Sequence, residues 1–391
     1  MYDVIVSGAG PSGSKCAEVI AGAGYKVALI EKNTGWRKPC GGGVGARILK
    51  YYPQLKKLNL PKKQKVIMYS AQHYRMFADY EGYKDYSLVM DRLELDNLMR
   101  DIAVEKGAEL LDNTLSLDFL HEGSTKCGIQ AKSPEGKQEY RGKIMVIADG
   151  MSSKLAPKSG LRGKWKPDEI AMAKCAILEG ESDLDPNAIY IYFFPYLGYG
   201  WIFPIDSQRF NIGAGTFNEA NLTHNLNEVY TTFLNNAEIQ KFLTSSNYKK
   251  IWQGSYPLPC NGILEKSLYG DNVMIIGDAA GYTTPISGEG IHASVVSGQI
   301  AGETAVQALE KEDYSKKTLR DYKKHRNIKK IIRNFKMKKA MFPFFFDDKG
   351  RNIDKMFKIA EEDEDFRIQV ANLFLFNASP SKEFMARLRG S

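Results

Sequence analysis

Gly8-Ala9-Gly10-Pro11-Ser12-Gly13, followed by Glu31, is a set whose types and spacing can hold a dinucleotide. Gly8 makes a turn that most side chains forbid, Gly10 lets the backbone approach a pyrophosphate, and Gly13 lets the next helix pack close to a sheet. Ala17, one turn on, helps in the same way. The free N–H groups and positive dipole end of that helix face phosphates. Pro11 costs little there, because its missing N–H would have no helical partner. A carboxylate at Glu31 accepts hydrogen bonds from a ribose diol, about 1.5–3 kcal/mol for a charge-assisted bond. The elements that must position these groups are an apolar strand at Tyr2–Ser7, a small-residue helix to about Ala23 that Gly24 stops, and a second strand at Val27–Ile30. A lone G-x-G-x-x-G is weak evidence; strand, helix and acid at the expected distance make it a binding turn. The turn alone leaves NAD and FAD both open.

A second set lies late in the chain. Val273–Ile276 is a fully apolar strand leading into Gly277-Asp278-Ala279-Ala280-Gly281. Among such small residues the backbone can lie close to a ligand, and the Asp278 carboxylate can hold a ribityl hydroxyl. Gly288, Gly290 and Ile291 open a helix whose N–H groups can face an electron-rich ring edge. Three further residues invite chemistry. Cys40, in Pro39-Cys40-Gly41-Gly42-Gly43, offers a thiol in a crowded turn, for contact with a ring or for protonation. Arg92 opens a helix, where a cation is unfavourable unless an anion meets it. Tyr199 and Trp201 flank Gly200, so both rings fall on one face of a strand; core packing and cavity lining both suit them. His292 follows Ile291 as a helix-start donor, and the other histidines show no metal spacing.

The N-terminal turn, the mid-chain Asp149-Gly150 and the late Gly277-Asp278 together resemble the flavoprotein group that includes para-hydroxybenzoate hydroxylase and the geranylgeranyl reductases. Pro39-Cys40-Gly41-Gly42-Gly43 and Tyr199-Gly200-Trp201-Ile202-Phe203-Pro204 look like two marks of the geranylgeranyl reductase family, which includes archaeal enzymes that saturate digeranylgeranylglycerol phospholipids. The likeness covers about the first 310 residues. It implies FAD, held by Gly8, Gly10, Gly13, Glu31, Cys40, Gly41, Gly43, Arg92, Asp278, Gly290 and Ile291, with the backbone around Ser116 at the adenine end. It implies that the cysteine loop lies against the flavin and that Tyr199 and Trp201 line a prenyl-chain tunnel, which makes Cys40, Tyr199 and Trp201 the catalytic candidates. The implied activity is saturation of isoprenoid C=C bonds on a membrane lipid or its precursor. An aromatic hydroxylase of the same fold, a non-redox isomerase or cyclase, and a non-enzymatic membrane-binding flavoprotein are the alternatives.

The 391 residues are 43% hydrophobic and 11% aromatic, enough for a sizeable core. The five cysteines are far apart without C-x-x-C, which suits a reducing cytosol rather than a disulfide framework. The first residues enter a strand directly, so no signal peptide is expected. No apolar run is long enough to span a bilayer. The expected fold is α/β: a three-layer Rossmann-like FAD domain of the para-hydroxybenzoate hydroxylase type (residues 1–65, 90–160 and 265–310), an antiparallel-sheet substrate domain (66–89 and 161–264), and a helical C-terminal segment (311–391). Glu109–Phe119 reads as a strand, Leu226–Phe242 as a helix, and Glu81-Gly82 as a turn. The net charge is +8, and much of the excess lies between Lys316 and Lys339. Interleaved with Ile328, Ile331, Ile332 and Phe335, and followed by Phe342–Phe346, that stretch suits either peripheral contact with an anionic membrane or a solvated helix face. Nucleic acid is not expected, since no recognition motif accompanies the charge. Without a second dinucleotide turn, the reductant must come from outside, as ferredoxin, a quinol or transiently docked NAD(P)H.

Overall fold

The computed structural model describes residues 1–81, 85–245, 247–263, 268–375 and 381–390; Gly82 of the expected turn lies outside them. The chain opens with β1 (Tyr2–Ser7), α1 (Pro11–Gly22), β2 (Val27–Ile30) and the short β3 (Gly43–Gly45). It continues through β4 (Lys65–Tyr69), β5 (Arg75–Asp79), β6 (Ser87–Val89), α2 (Arg92–Glu105), β7 (Glu109–Leu111), β8 (Leu115–Glu122), β9 (Thr125–Ser133), β10 (Gly136–Ile147) and α3 (Leu155–Lys158). Next come β11 (Ala171–Gly180), β12 (Ala188–Phe193), β13 (Gly198–Pro204), β14 (Arg209–Phe217), α4 (Ala220–Thr223), α5 (Leu226–Leu234), α6 (Ala237–Ser245) and β15 (Tyr248–Leu258). The last part holds β16 (Tyr269–Gly270), β17 (Val273–Ile275), α7 (Ile291–Glu310), α8 (Lys316–Leu319), α9 (Asp321–Lys324), α10 (Arg326–Phe346), α11 (Arg351–Glu362), α12 (Glu364–Leu375) and α13 (Lys382–Gly390).

The first sheet runs β16-β17-β10-β1-β2-β7 and is parallel except for the edge strand β16. Its inner strands are continuous apolar runs, as sheets covered on both faces require; Val4–Val6 and Ile144–Ile147 are wholly buried. β10 serves twice. Its end pairs with β1, while Gly136–Arg141 pairs antiparallel with β9, which pairs with β8. That ribbon completes three layers with the sheet and the helices α1, α2 and α7. The expected strand at Glu109–Phe119 is broken at Asp112-Asn113: the Asp112 carboxylate accepts from Asn113 N–H at 2.7 Å, and Asn113 turns left-handed.

The second sheet runs β15-β11-β14-β13-β12-β4-β5. It is mixed rather than purely antiparallel, because β4 enters beside β12 in parallel. β4 pairs antiparallel with β5 on its other side, and Gln64 and Lys65 N–H both bond to Asn187 O just before β12, which starts the two strands side by side. One face of this sheet packs on α5 and α6 through Phe210, Ile212, Val229 and Phe233. The expected Leu226–Phe242 helix is two helices, because Asn236 caps a new start by accepting from Glu238 N–H at 3.0 Å.

The other face is covered by the C-terminal helices. Ile191 and Phe193 of β12 share a core with Phe342 and Phe345 of α10, Met356 of α11 and Phe374 of α12. α10 therefore spends its apolar stripe inward: Ile328, Ile332 and Phe335 join the core of the first sheet, and Phe342 and Phe345 that of the second. The apolar residues of the stretch read as facing either an anionic membrane or solvent are interior. Lys338 lies on the same buried side, donates to Leu373 O at 2.9 Å, and is pushed down to about 7 by burial.

Candidate active site

Gly8 sits at φ +103°, and a Cβ there would lie 2.4 Å from Ala148 O, so only glycine makes this turn. Around it runs one cavity lined by Gly8, Gly10, Glu31, Ser116, Arg92 and Asp278, reaching Gly290 and Ile291 at the start of α7. Glu31 accepts from Ala9 N–H at 2.8 Å and from Asn33 N–H at 3.2 Å, which fixes its carboxylate at the tip of β2 with lone pairs to spare. Ser7 donates to the Ser116 hydroxyl at 2.7 Å. Asp149 lines the same cavity, and its Oδ1 is buried without a partner; burial pushes its pKa up to about 6. A cradle of backbone donors with an orphaned carboxyl oxygen fits the many hydroxyl donors of a flavin dinucleotide.

Asp278 stands at the other end. Lys38 Nζ lies 2.5 Å from its Oδ2, and Thr283 donates to its Oδ1 at 3.1 Å. Burial alone would raise the Asp278 pKa, but the Lys38 ammonium holds it below the usual carboxylate range. Arg92 is buried and makes a two-pronged bond to Asp96, four residues on, at 3.1 and 2.9 Å. The anion that its helix position demands is thus supplied within α2. Burial works against its charge, but the Asp96 carboxylate outweighs it and raises its pKa.

A second, apolar cavity lies on the face of the mixed sheet. Tyr199, Trp201 and Phe203 reach it together from β13, while Gly200 between them faces Phe233 on the other side. The polar tips of both rings are tied back. Tyr199 Oη donates to Ser287 O at 2.6 Å. Trp201 Nε1 donates to Asn211 Oδ1 at 2.8 Å, and Asn211 Nδ2 donates to Cys40 O at 3.0 Å. Gly41 and Gly43 line this apolar cavity rather than the dinucleotide cradle. A Cβ on Gly41 would sit 2.8 Å from the Phe203 ring. Gly13 lines neither cavity: it lets α1 close on the turn, where a Cβ would meet Gly8 O at 1.8 Å.

Cys40, Leu258, Gly288, Gly290 and Ile291 line both cavities. A flat ring held in the first therefore meets whatever fills the second at the Cys40 turn, whose Sγ accepts from Gly42 N–H at 3.4 Å.

Residues 1–328 match the FAD binding domain family. The chain is 31% identical over 332 residues to digeranylgeranylglycerophospholipid reductase 2 of Methanopyrus kandleri, covering 82% of this chain and 81% of that one. The chain belongs to this reductase family. It is also 31% identical over 358 residues to digeranylgeranylglycerophospholipid reductase 2 of Methanococcoides burtonii, covering 89% and 86%. In fold it is similar to a geranylgeranyl bacteriochlorophyll reductase-like protein of Thermoplasma acidophilum, with a TM-score of 0.84 at 23% identity over 100% of this chain and 98% of that one. The flavin-dependent brominase Bmp2 shares the fold at a TM-score of 0.75 and 20% identity, over 100% and 97%. This family member is an FAD-dependent oxidoreductase. Among its described residues no helix is long and apolar enough to cross a membrane.

Several residues of this reductase's site carry no motif. Lys38 could have been suspected as a cation beside a glycine turn. Asn211, which braces both Trp201 and Cys40, has no signal in its strand. Ile189, Ile191 and Phe193 line the apolar cavity and follow the strand period of two. Phe374 and Leu375 complete the wall from the far end of the chain. His292 is off both cavities; its ring packs on Tyr51, and burial lowers its pKa.

Proposed function

We propose that the chain saturates the carbon–carbon double bonds of geranylgeranyl chains carried by archaeal-type membrane lipids or their precursors. The observation that carries this reading is the meeting of a dinucleotide cradle and an apolar cavity at Cys40, Leu258, Gly288, Gly290 and Ile291. The relatives' names supply the substrate class. An isolated alkene offers no polar handle, so binding comes from chain burial. At about 0.8 kcal/mol per CH₂-sized unit, a chain of about twenty carbons gains on the order of 15 kcal/mol gross, before ordering costs. That is ample for affinity and poor for register, so several double bonds are reduced as the chain slides.

FAD is assigned to Gly8, Gly10, Glu31, Ser116, Arg92, Asp278, Gly290 and Ile291, with Gly13 shaping the turn and Cys40, Gly41 and Gly43 on the side toward the chain. Bound there and reduced, FAD would supply hydride chemistry toward one alkene carbon. The Cys40 thiol holds the proton for the other, at the boundary of the two cavities. Tyr199 and Trp201 present apolar faces because their polar tips are bound to Ser287 and Asn211; they hold the alkene and exclude water. The domain division is residues 1–65, 90–160 and 265–310 for FAD, 66–89 and 161–264 for the chain, and 311–391 as a helical C-terminal segment that packs on both. The lipid is met at a membrane surface on the cytoplasmic side. A groove lined by Met337, Met341 and Phe344 of α10 and by Lys382 and Met385 of α13 supports that contact, and five cysteines that are all unpaired support the cytoplasmic side.

The test is anaerobic. The protein is reduced with dithionite, a geranylgeranyl phospholipid is added, and the flavin spectrum and lipid mass are followed. Reoxidation of the flavin with lipid mass rising in steps of two hydrogens is the expected result. A flavin that stays reduced over unchanged lipid rejects the substrate.

A further inference from the structure

Asn211 is buried and lines neither cavity, yet it joins two walls that meet at the Cys40 turn. Along β14, Phe210, Ile212 and Ala214 pack toward α5 and α6, while Asn211, Gly213 and Gly215 fall on the opposite face. On that face Gly213 pairs with Trp201 across the strands, and a Cβ there would lie 2.2 Å from the indole. Glycine thus makes room for the ring. The indole also lies against the Cys40 turn, since a Cβ on Gly41 would be 3.0 Å from Trp201 Nε1. Asn211, two residues before Gly213, supplies the polar partner. An indole N–H only donates and a carbonyl only accepts, so the amide has one orientation, with Oδ1 to Trp201 and Nδ2 to the Cys40 carbonyl. We propose that Asn211 is a positioning residue for the proton step: one amide ties the indole wall of the apolar cavity to the Cys40 turn and so holds the thiol against the bound chain.

Two observations favour positioning over packing. First, a buried amide is costly unless it is hydrogen-bonded, and a strand residue that only filled space would be apolar, as its neighbours on the other face are. Second, the Cys40 turn is gripped from two sides. Met90 N–H donates to Gly42 O at 3.1 Å, and a Cβ on Gly42 would lie 1.9 Å from Met90 O, which fixes the turn beyond the thiol. The Cys40 carbonyl takes Asn211 at 3.0 Å and, more weakly, the Cys175 thiol of β11 at 3.8 Å. The thiol-bearing Cα is bonded directly to that carbonyl carbon, so losing the Asn211 bond loosens the group that carries the proton. Because Trp201 and Cys40 share one amide, a displacement of the indole is passed to the thiol. The inference rests on the reading of Cys40 as proton holder. In that step the thiol proton goes to one alkene carbon as hydride goes to the other, and solvent returns a proton to sulfur.

The experiment uses the FAD-loaded enzyme, reduced with dithionite and mixed anaerobically with a geranylgeranyl phospholipid in a stopped-flow instrument. Flavin reoxidation is followed as a function of lipid concentration. Asn211→Asp keeps the acceptor for Trp201 and loses the donor to the Cys40 carbonyl. It is expected to lower the maximal rate at least about tenfold, with the half-saturating lipid concentration changed less than about twofold and FAD content unchanged. Asn211→Leu removes both bonds; it should lower the rate as much and also raise the half-saturating lipid concentration, because the indole is freed. The deciding readout is the same substitution in a Cys40→Ala background. A residue that acts only through the thiol causes no further loss there, whereas a structural brace adds its own. The proposal is overturned if Asn211→Asp keeps the rate within about twofold, or if its loss is undiminished in the Cys40→Ala background. It is also overturned if Asn211→Asp and Asn211→Leu both purify without flavin, which would make Asn211 a structural brace. Failure of the underlying reading shows separately: a Cys40→Ala enzyme that reacts at the unmodified rate removes Cys40 as proton holder, and this proposal with it.

Discussion

The two cavities that meet at Cys40 recognise by different physics. The dinucleotide cradle works through backbone shape and a few fixed charges: the Gly8 turn, the Glu31 carboxylate, and Asp278 paired with Lys38. The apolar cavity, on the proposed reading the site of the chain, would work through area, with walls from β12, β13, β14 and α12 and its polar tips tied away. Where shape and charge decide, one atom out of place is costly. Where area decides, losses are graded. Each of the following changes is chosen to break or sharpen that contrast.

Gly8→Ala should have the largest effect. The residue sits at φ +103°, and its new Cβ would lie 2.4 Å from Ala148 O. Strain of about 1–3 kcal/mol, added to a displaced phosphate site, is expected to weaken FAD binding roughly 100-fold or more. The purified protein should lose its visible flavin absorbance. Retention of a full flavin spectrum would show that the cradle tolerates what the chain cavity tolerates.

Lys38→Met tests the charged end of the cradle. Asp278 is nearly buried, and without the ammonium its burial is no longer offset. A carboxyl whose folded pKa is depressed keeps its stabilisation above its ordinary pKa and loses it only as the pH falls through the folded value. In the unmodified protein FAD affinity should therefore hold steady from about pH 8 to about pH 5. In the variant the folded pKa moves upward, so affinity should be about 10–100-fold weaker and fall further toward pH 5. Fluorescence titration of FAD across that range checks it. A variant with a flat profile would mean that Asp278 does not depend on its partner.

The turn of the cradle was legible in the sequence because its residues are local: Gly8, Gly10 and Glu31 line the cavity from one strand–helix–strand unit, and Gly13 lets the helix close on them. Of the residues that line the apolar cavity, the sequence pointed to Tyr199 and Trp201 as tunnel lining by family resemblance alone, and to Cys40, Gly41, Gly43, Gly290 and Ile291 as cofactor contacts. Its other walls come from alternating residues in β12 and from Phe374 and Leu375, brought by α12 from a segment without any motif. The basic stretch was visible as charge, but not the side on which its apolar residues would fall; Ile328 and Phe335 face the core. The parallel entry of β4 beside β12 depends on contacts across the whole fold, so no local pattern announced it.

The smallest effects should come from trimming the apolar wall. Phe193→Leu and Leu375→Ala each remove part of the surface along which the chain lies, while leaving the cradle and Cys40 untouched. At roughly 25 cal/mol per Å² of lost apolar contact, each should raise KM about three- to tenfold, with kcat for the first bond changed by less than about twofold. The loss should be roughly additive, unlike a change in the cradle. Because area fixes affinity and not register, the product mixture should also shift toward partly saturated chains as the walls loosen. Mass spectrometry of the lipid at partial conversion reads this directly. If one trimmed wall instead abolished reduction of a single, specific double bond, the cavity would be holding the chain in register, and the contrast between the two regions would fail.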